Sequence, residues 1–135
     1  MGANKGQALW SYGNIVTLEY DESTDQTTEY LVGKIVDGKC KLNAASTTFP
    51  AGIIENKPKA AGGASLRLFN GPGIFRVKLS GTVAIDTFLT GSAAGEAEAA
   101  DADADVVFGR SVESGVDGDV IGFVPYSPTL RSALI

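Results

Sequence analysis

The chain contains no histidine and one cysteine, Cys40. Without imidazole, Ser-His-Asp and Cys-His catalysis and His-ligated zinc are excluded. A single thiol supports neither an internal disulfide nor a cysteine-cluster metal site. Cys40 therefore reads as a small, half-buried strand residue. Aromatic residues are few, at 8%, and Trp10 is the sole tryptophan. No apolar run reaches transmembrane length, and the first residues do not read as a charged-then-apolar signal peptide. Basic residues are outnumbered, 11 against 16 acidic, giving a net charge of −5. They are scattered singly, without the aromatic interleaving of nucleic-acid surfaces. These absences argue against nucleic acid and membrane as partners.

What is present is small and β-prone. The 135 residues suit one domain. Alanine and glycine contribute 17 each, a quarter of the chain, which implies a thin, sheet-built core. Ile15–Tyr20, Tyr30–Val36, Lys39–Asn43, Ile53–Glu55, Ser65–Phe69, Ile74–Leu79, Thr82–Leu89, Val106–Phe108 and Val120–Val124 read as strands. Ile74–Leu79 alternates most clearly, with Phe75, Val77 and Leu79 on one face and Arg76 and Lys78 on the other. Asp37-Gly38 suits a two-residue type I′ hairpin turn, whose central positions both need φ > 0. This spacing of short strands and turn signals indicates an all-β barrel or sandwich, spanning residues 14–125.

Three segments fall outside that pattern. Residues 1–13 (MGANKGQALWSYG) are polar and aperiodic but carry Leu9, Trp10 and Tyr12, and read as an arm. A free arm would leave those side chains in water, so it is expected to order across a seam with another subunit. Residues 126–135 read as an extended tail ending in Leu130, Leu134 and Ile135, with Tyr126 at its start. Residues 96–105 (EAEAADADAD) alternate acid and alanine, and a helix here would have no apolar stripe. An exposed edge strand is expected, with Asp101, Asp103 and Asp105 forming one solvated acidic face.

No motif amounts to an active site. Gly71-Pro72-Gly73 opens like a dinucleotide loop, but Arg76 stands where a third glycine belongs, so a turn is the simpler reading. Asp101-Ala102-Asp103-Ala104-Asp105 mimics the start of a calcium loop, but Val106 and Val112 replace the required Gly and final acid. Gly91-Ser92-Ala93-Ala94-Gly95 misplaces the serine of a nucleophile elbow. Glu96 and Glu98 would share one strand face, whereas glycosidase carboxylates must face each other across a cleft. The expectation is no catalysis, no cofactor and no metal.

Several pieces fall in a recognisable order. Pro50-Ala51-Gly52-Ile53-Ile54 precedes Ala60-Ala61-Gly62-Gly63-Ala64-Ser65-Leu66-Arg67-Leu68, and Gly73-Ile74-Phe75-Arg76-Val77-Lys78 follows. The last pieces are Phe108-Gly109-Arg110-Ser111-Val112-Glu113-Ser114-Gly115 and Asp119-Val120-Ile121-Gly122-Phe123-Val124. Over somewhat more than half the chain, this order resembles the phage capsid decoration (cement) proteins of the DUF2190 type. The resemblance implies a barrel-like domain that forms a homotrimer on the outer surface of an icosahedral head, bound to the major capsid protein. On that reading Leu9, Trp10, Tyr12, Tyr126, Leu130 and Ile135 are the candidate interface residues. A carbohydrate- or surface-binding β-module on a phage or bacterial particle is the alternative.

Overall fold

The structure, a computed structural model, describes residues 11–12 and 14–135, with side chains from Asn14 onward. The first half supplies β1 (Ser11–Tyr12), β2 (Ile15–Glu19), β3 (Leu31–Val36), β4 (Lys39–Leu42), β5 (Gly52–Ile54) and β6 (Gly63–Leu68). They hydrogen-bond in the order β1-β2-β6-β5-β3-β4. The second half supplies β7 (Phe75–Lys78), β8 (Phe88–Gly91), β9 (Ala97–Ala99), β10 (Val106–Ser111) and β11 (Val120–Leu130), in the order β7-β11-β10-β8-β9. Among the described residues there is no α-helix, only two short 3-10 turns at Ala93–Gly95 and Arg131–Ala133. The all-β expectation holds.

Each sheet curls back on itself, β2 meeting β4 in the first and β7 meeting β9 in the second. Parallel bridges join Tyr20 to Cys40 in the first sheet and Leu79 to Ala97 in the second. Backbone bonds seal both seams, from Asp21 N–H to the Cys40 carbonyl at 2.8 Å and from Ser80 N–H to the Ala97 carbonyl at 2.9 Å. The second sheet lies against the outer face of β3 and β5. Those strands are therefore buried on both sides: Ile54 joins Leu18, Tyr20, Cys40, Ala64 and Leu66 inside the first sheet. Val32 and Ile53 join Phe69, Phe75, Val77, Phe108, Ile121 and Phe123 in the core between the sheets.

The expected turn chemistry is found at the β3–β4 hairpin, where Asp37 and Gly38 have φ of 54° and 75°. On β7, Phe75 and Val77 are buried and Arg76 is exposed, as its alternation requires.

Several expectations need correction. Cys40 is fully buried rather than half-buried, because the seam with Tyr20 covers it. The segment Thr82–Leu89 is strand only from Phe88. Ahead of it, the chain turns at Ile85–Asp86, held by the buried Ser111 hydroxyl, which donates to the Ala84 carbonyl and accepts from Thr87 N–H. The tail is not separate: β11 continues through Pro125 and Pro128 to Leu130. Tyr12 pairs with Ile15 and Ser11 with Val16, so strand pairing reaches into the segment read as an arm. Leu9 and Trp10 lie outside the described residues.

The acidic run is also different. Only Ala97–Ala99 is strand. Residues 101–105 form a turn, and the Asp105 carboxylate accepts from the N–H groups of Asp101 and Ala102, both at 3.0 Å. Asp105 is consequently buried, while Asp101 and Asp103 are exposed. The three do not form one face. A side chain that satisfies two backbone donors of its own turn offers the segment an alternative to the ladder.

Candidate interaction surface at the C-terminal strand

The expected interface residues separate into three places. Leu9 and Trp10 fall outside the described residues, and Tyr12 is described by its backbone alone. Tyr126 lies midway along β11, while Leu130 and Ile135 belong to the end of the chain. The structure joins Leu130 to the Ile135 region through a fastened turn but leaves Tyr126 in a different setting.

The end of the chain is anchored from beneath. Arg131 N–H donates to the Asp105 carbonyl at 2.8 Å, and Ser132 N–H donates to the Asp103 carbonyl at 3.3 Å. The Arg131 guanidinium stands 3.4 Å from the Asp103 carboxylate. Above these ties the apolar side chains remain uncovered: Leu130 is 42% exposed and Ile135 is 72% exposed, with Leu134 between them. Exposed aliphatic side chains close together in sequence on a fastened turn need less ordering on binding than the same residues on a loose tail.

Asp105 holds this arrangement. Burial alone would raise its pKa, but hydrogen bonds from Ala102 and Asp101 N–H and from the Ser46 side chain, with the Arg131 charge, bring it below the ordinary aspartate value. Glu98 nearby is shifted the other way, by burial first and then by the charges of Asp105 and Asp101. Among the described residues no group of acids, cysteine or histidine is placed to hold a metal ion.

Sequence reading missed the anchoring roles of Arg131, Asp103 and Asp105. A turn-capping aspartate reads like any other acid in an alternating run, so no periodic signal could have singled it out.

Tyr126 faces a trough on the outer side of the second sheet. Asp86, Arg110, Ser111, Val112 and Val124 line it with the tyrosine. The Tyr126 ring meets Phe88 edge-on, with centroids 6.2 Å apart.

No protein-family model matches the chain, that of the DUF2190 type included, and no curated protein matches it. Among solved structures, it is similar to the N base of the head fiber gp8.5 of bacteriophage phi29, with a TM-score of 0.63 and 18% identity. The match covers 87% of this chain and 98% of that one. At this identity the likeness is one of fold.

Proposed function

We propose that the chain is a non-catalytic structural protein of a phage virion. It sits on the outer surface of the head, binds the major capsid protein and stabilises contacts between neighbouring capsid subunits, as a homotrimer. The observation that supports this most is the near end-to-end likeness in fold to the base of a phage head fiber. The resemblance of its glycine turns and strands, read from the sequence, to capsid decoration proteins is a second, weaker support.

The mechanism is burial at a seam. Leu130, Leu134 and Ile135 on their anchored turn form one contact, and Leu9, Trp10 and Tyr12 of the N-terminal segment form another. Each apolar side chain removed from water contributes about 1.5–3 kcal/mol. Repetition over many symmetry-related sites multiplies a modest affinity per site.

The test uses purified protein and emptied, expanded heads of a phage that carries it, with bound protein measured by sedimentation. Wild-type protein should co-sediment at a fixed ratio to the capsid protein. The pair Leu134→Asp and Ile135→Asp should weaken binding at least about tenfold, as expected from losing one or two buried aliphatics. Trp10→Ala should do the same, while both variants keep the wild-type far-ultraviolet spectrum. Wild-type protein that fails to sediment with heads would overturn the reading. Light scattering of free protein tests the trimer separately.

A further inference from the structure

We propose that the trough around Tyr126 is a saccharide-binding site, with Asp86, Arg110 and Tyr126 as the contacting side chains. This goes beyond attachment to a head and does not depend on it.

The trough is built by strand register. On β10, Arg110 lies opposite Val124 of β11 and opposite Phe88 of β8. Residues directly opposite one another project from the same face, so these three share the outer surface. Then the register slips: Gly109 pairs with Pro125, but Val107 pairs with Thr129. Tyr126, Ser127 and Pro128 thus stand opposite Phe108 alone. Such a bulge re-aims side chains, and Pro125 beside it and Pro128 within it restrict its backbone. The Tyr126 ring is backed by Phe88, and the Arg110 guanidinium lies 5.8 Å from the Phe88 centroid.

The remaining wall is equally fixed. Asp86 has a φ of 60°, a left-handed conformation that aspartate tolerates better than most residues. Its N–H donates to the Ser111 carbonyl at 3.0 Å. The fully buried Ser111 hydroxyl ties residues 84 and 87 to the same strand. A ligand would therefore pay little to order this loop.

The chemistry selects the ligand. Asp86 Oδ1 stands 3.9 Å from Arg110 Nε, and their side chains are 71% and 49% exposed. That distance is too long for a hydrogen bond, and an exposed pair contributes little to stability. Both groups keep free hydrogen-bonding capacity, an acceptor beside a fork of donors. Neighbouring hydroxyls of a sugar ring present the complementary donor and acceptor. The apolar face of the ring would rest on Tyr126, with Val112 and Val124 at its margin. The carboxylate and guanidinium cancel in charge, so Asp86 opposes a phosphate or acidic peptide. The trough measures about 410 Å³, within the range of roughly 300–1,000 Å³ for ligand sites. It is open to solvent.

The test is saturation-transfer NMR followed by calorimetry on the full chain. The probes are neutral hexasaccharides of glucose, N-acetylglucosamine, mannose and galactose, with inorganic phosphate as the anion. At least one hexasaccharide should bind with Kd on the order of 0.1–1 mM. Tyr126→Ala and Asp86→Asn should each weaken it at least about tenfold with the melting temperature retained. Asp86→Asn should still co-sediment with heads, which separates this site from the contacts at the chain end. The proposal fails if no hexasaccharide binds at about 5 mM, if binding survives both substitutions, or if phosphate binds and the sugars do not.

Discussion

The two sheets are built alike and filled differently. Inside the first, the core is Leu18, Tyr20, Cys40, Ile54, Ala64 and Leu66, without a phenylalanine. In the second, four of the six phenylalanines meet: Phe69 stacks on Phe108 at 5.1 Å, Phe108 meets Phe123 edge-on at 5.4 Å, and Phe75 lies 5.9 Å from Phe123. The second core also takes Val32 and Ile53 from the first sheet. Tyr20 is the one ring buried in the first core, and Gly33 shows how closely that core is packed. A methyl group there would come within 3.2 Å of Leu66, Ile54 and Cys40 side chains. The second sheet closes on itself and also packs over β3 and β5, and the core between them takes four phenylalanine rings.

The strongest way to break this comparison is to empty the aromatic core. Phe123→Ala should cost about 3–5 kcal/mol, as large-to-small core changes do. Urea unfolding measures it, and a loss below about 1 kcal/mol would show that the rings do not carry the second core. Next comes Gly109. A methyl group there would collide with the Phe123 ring and lie 2.7 Å from the Val124 carbonyl. Gly109→Ala should therefore cost about 1–3 kcal/mol through overpacking, read as a lower unfolding midpoint.

The sheets should also differ in pH response. In the first, burial, reinforced by the Glu22 charge, pushes the Cys40 thiol from 9.0 up to about 12. The folded state disfavours the thiolate, so its contribution is intact below about pH 9 and lost as pH rises toward about 12. Tyr20, raised chiefly by burial, acts in the same direction. Cys40→Ala should flatten part of this alkaline decline in melting temperature, and native protein at pH near 8 should resist thiol reagents until it unfolds. In the second sheet the decline is acidic. Asp105 has a lowered folded pKa, so its stabilisation is present above the ordinary aspartate value near 3.8 and lost as pH falls through the folded one. Asp105→Asn should reduce stability by about 1 kcal/mol at neutral pH and shrink the acid decline. Melting curves that move equally in both variants at both extremes would show that the sheets do not titrate separately.

Sequence alone determined the class of the fold, most of its strands and the Asp37-Gly38 turn, because these follow from chain-local properties. Alternation shows in β7, where one face meets the core and the other water. It is missing from β5, although Ile53–Glu55 reads as a strand, because Ile53 and Ile54 enter different cores. A strand buried on both faces carries no alternating signal, and nothing local says that a second sheet lies outside it. The candidate surface followed the same division. Leu130 and Ile135 stood out as apolar residues that a folded chain has little reason to expose. That Asp103 and Asp105 fasten them, and that Tyr126 belongs with Asp86 and Arg110, were decided only by tertiary structure. Their partners are 28, 26, 40 and 16 residues away in the chain, and that proximity arises from sheet closure and a bulge, through long-range backbone pairing that no short stretch of sequence encodes.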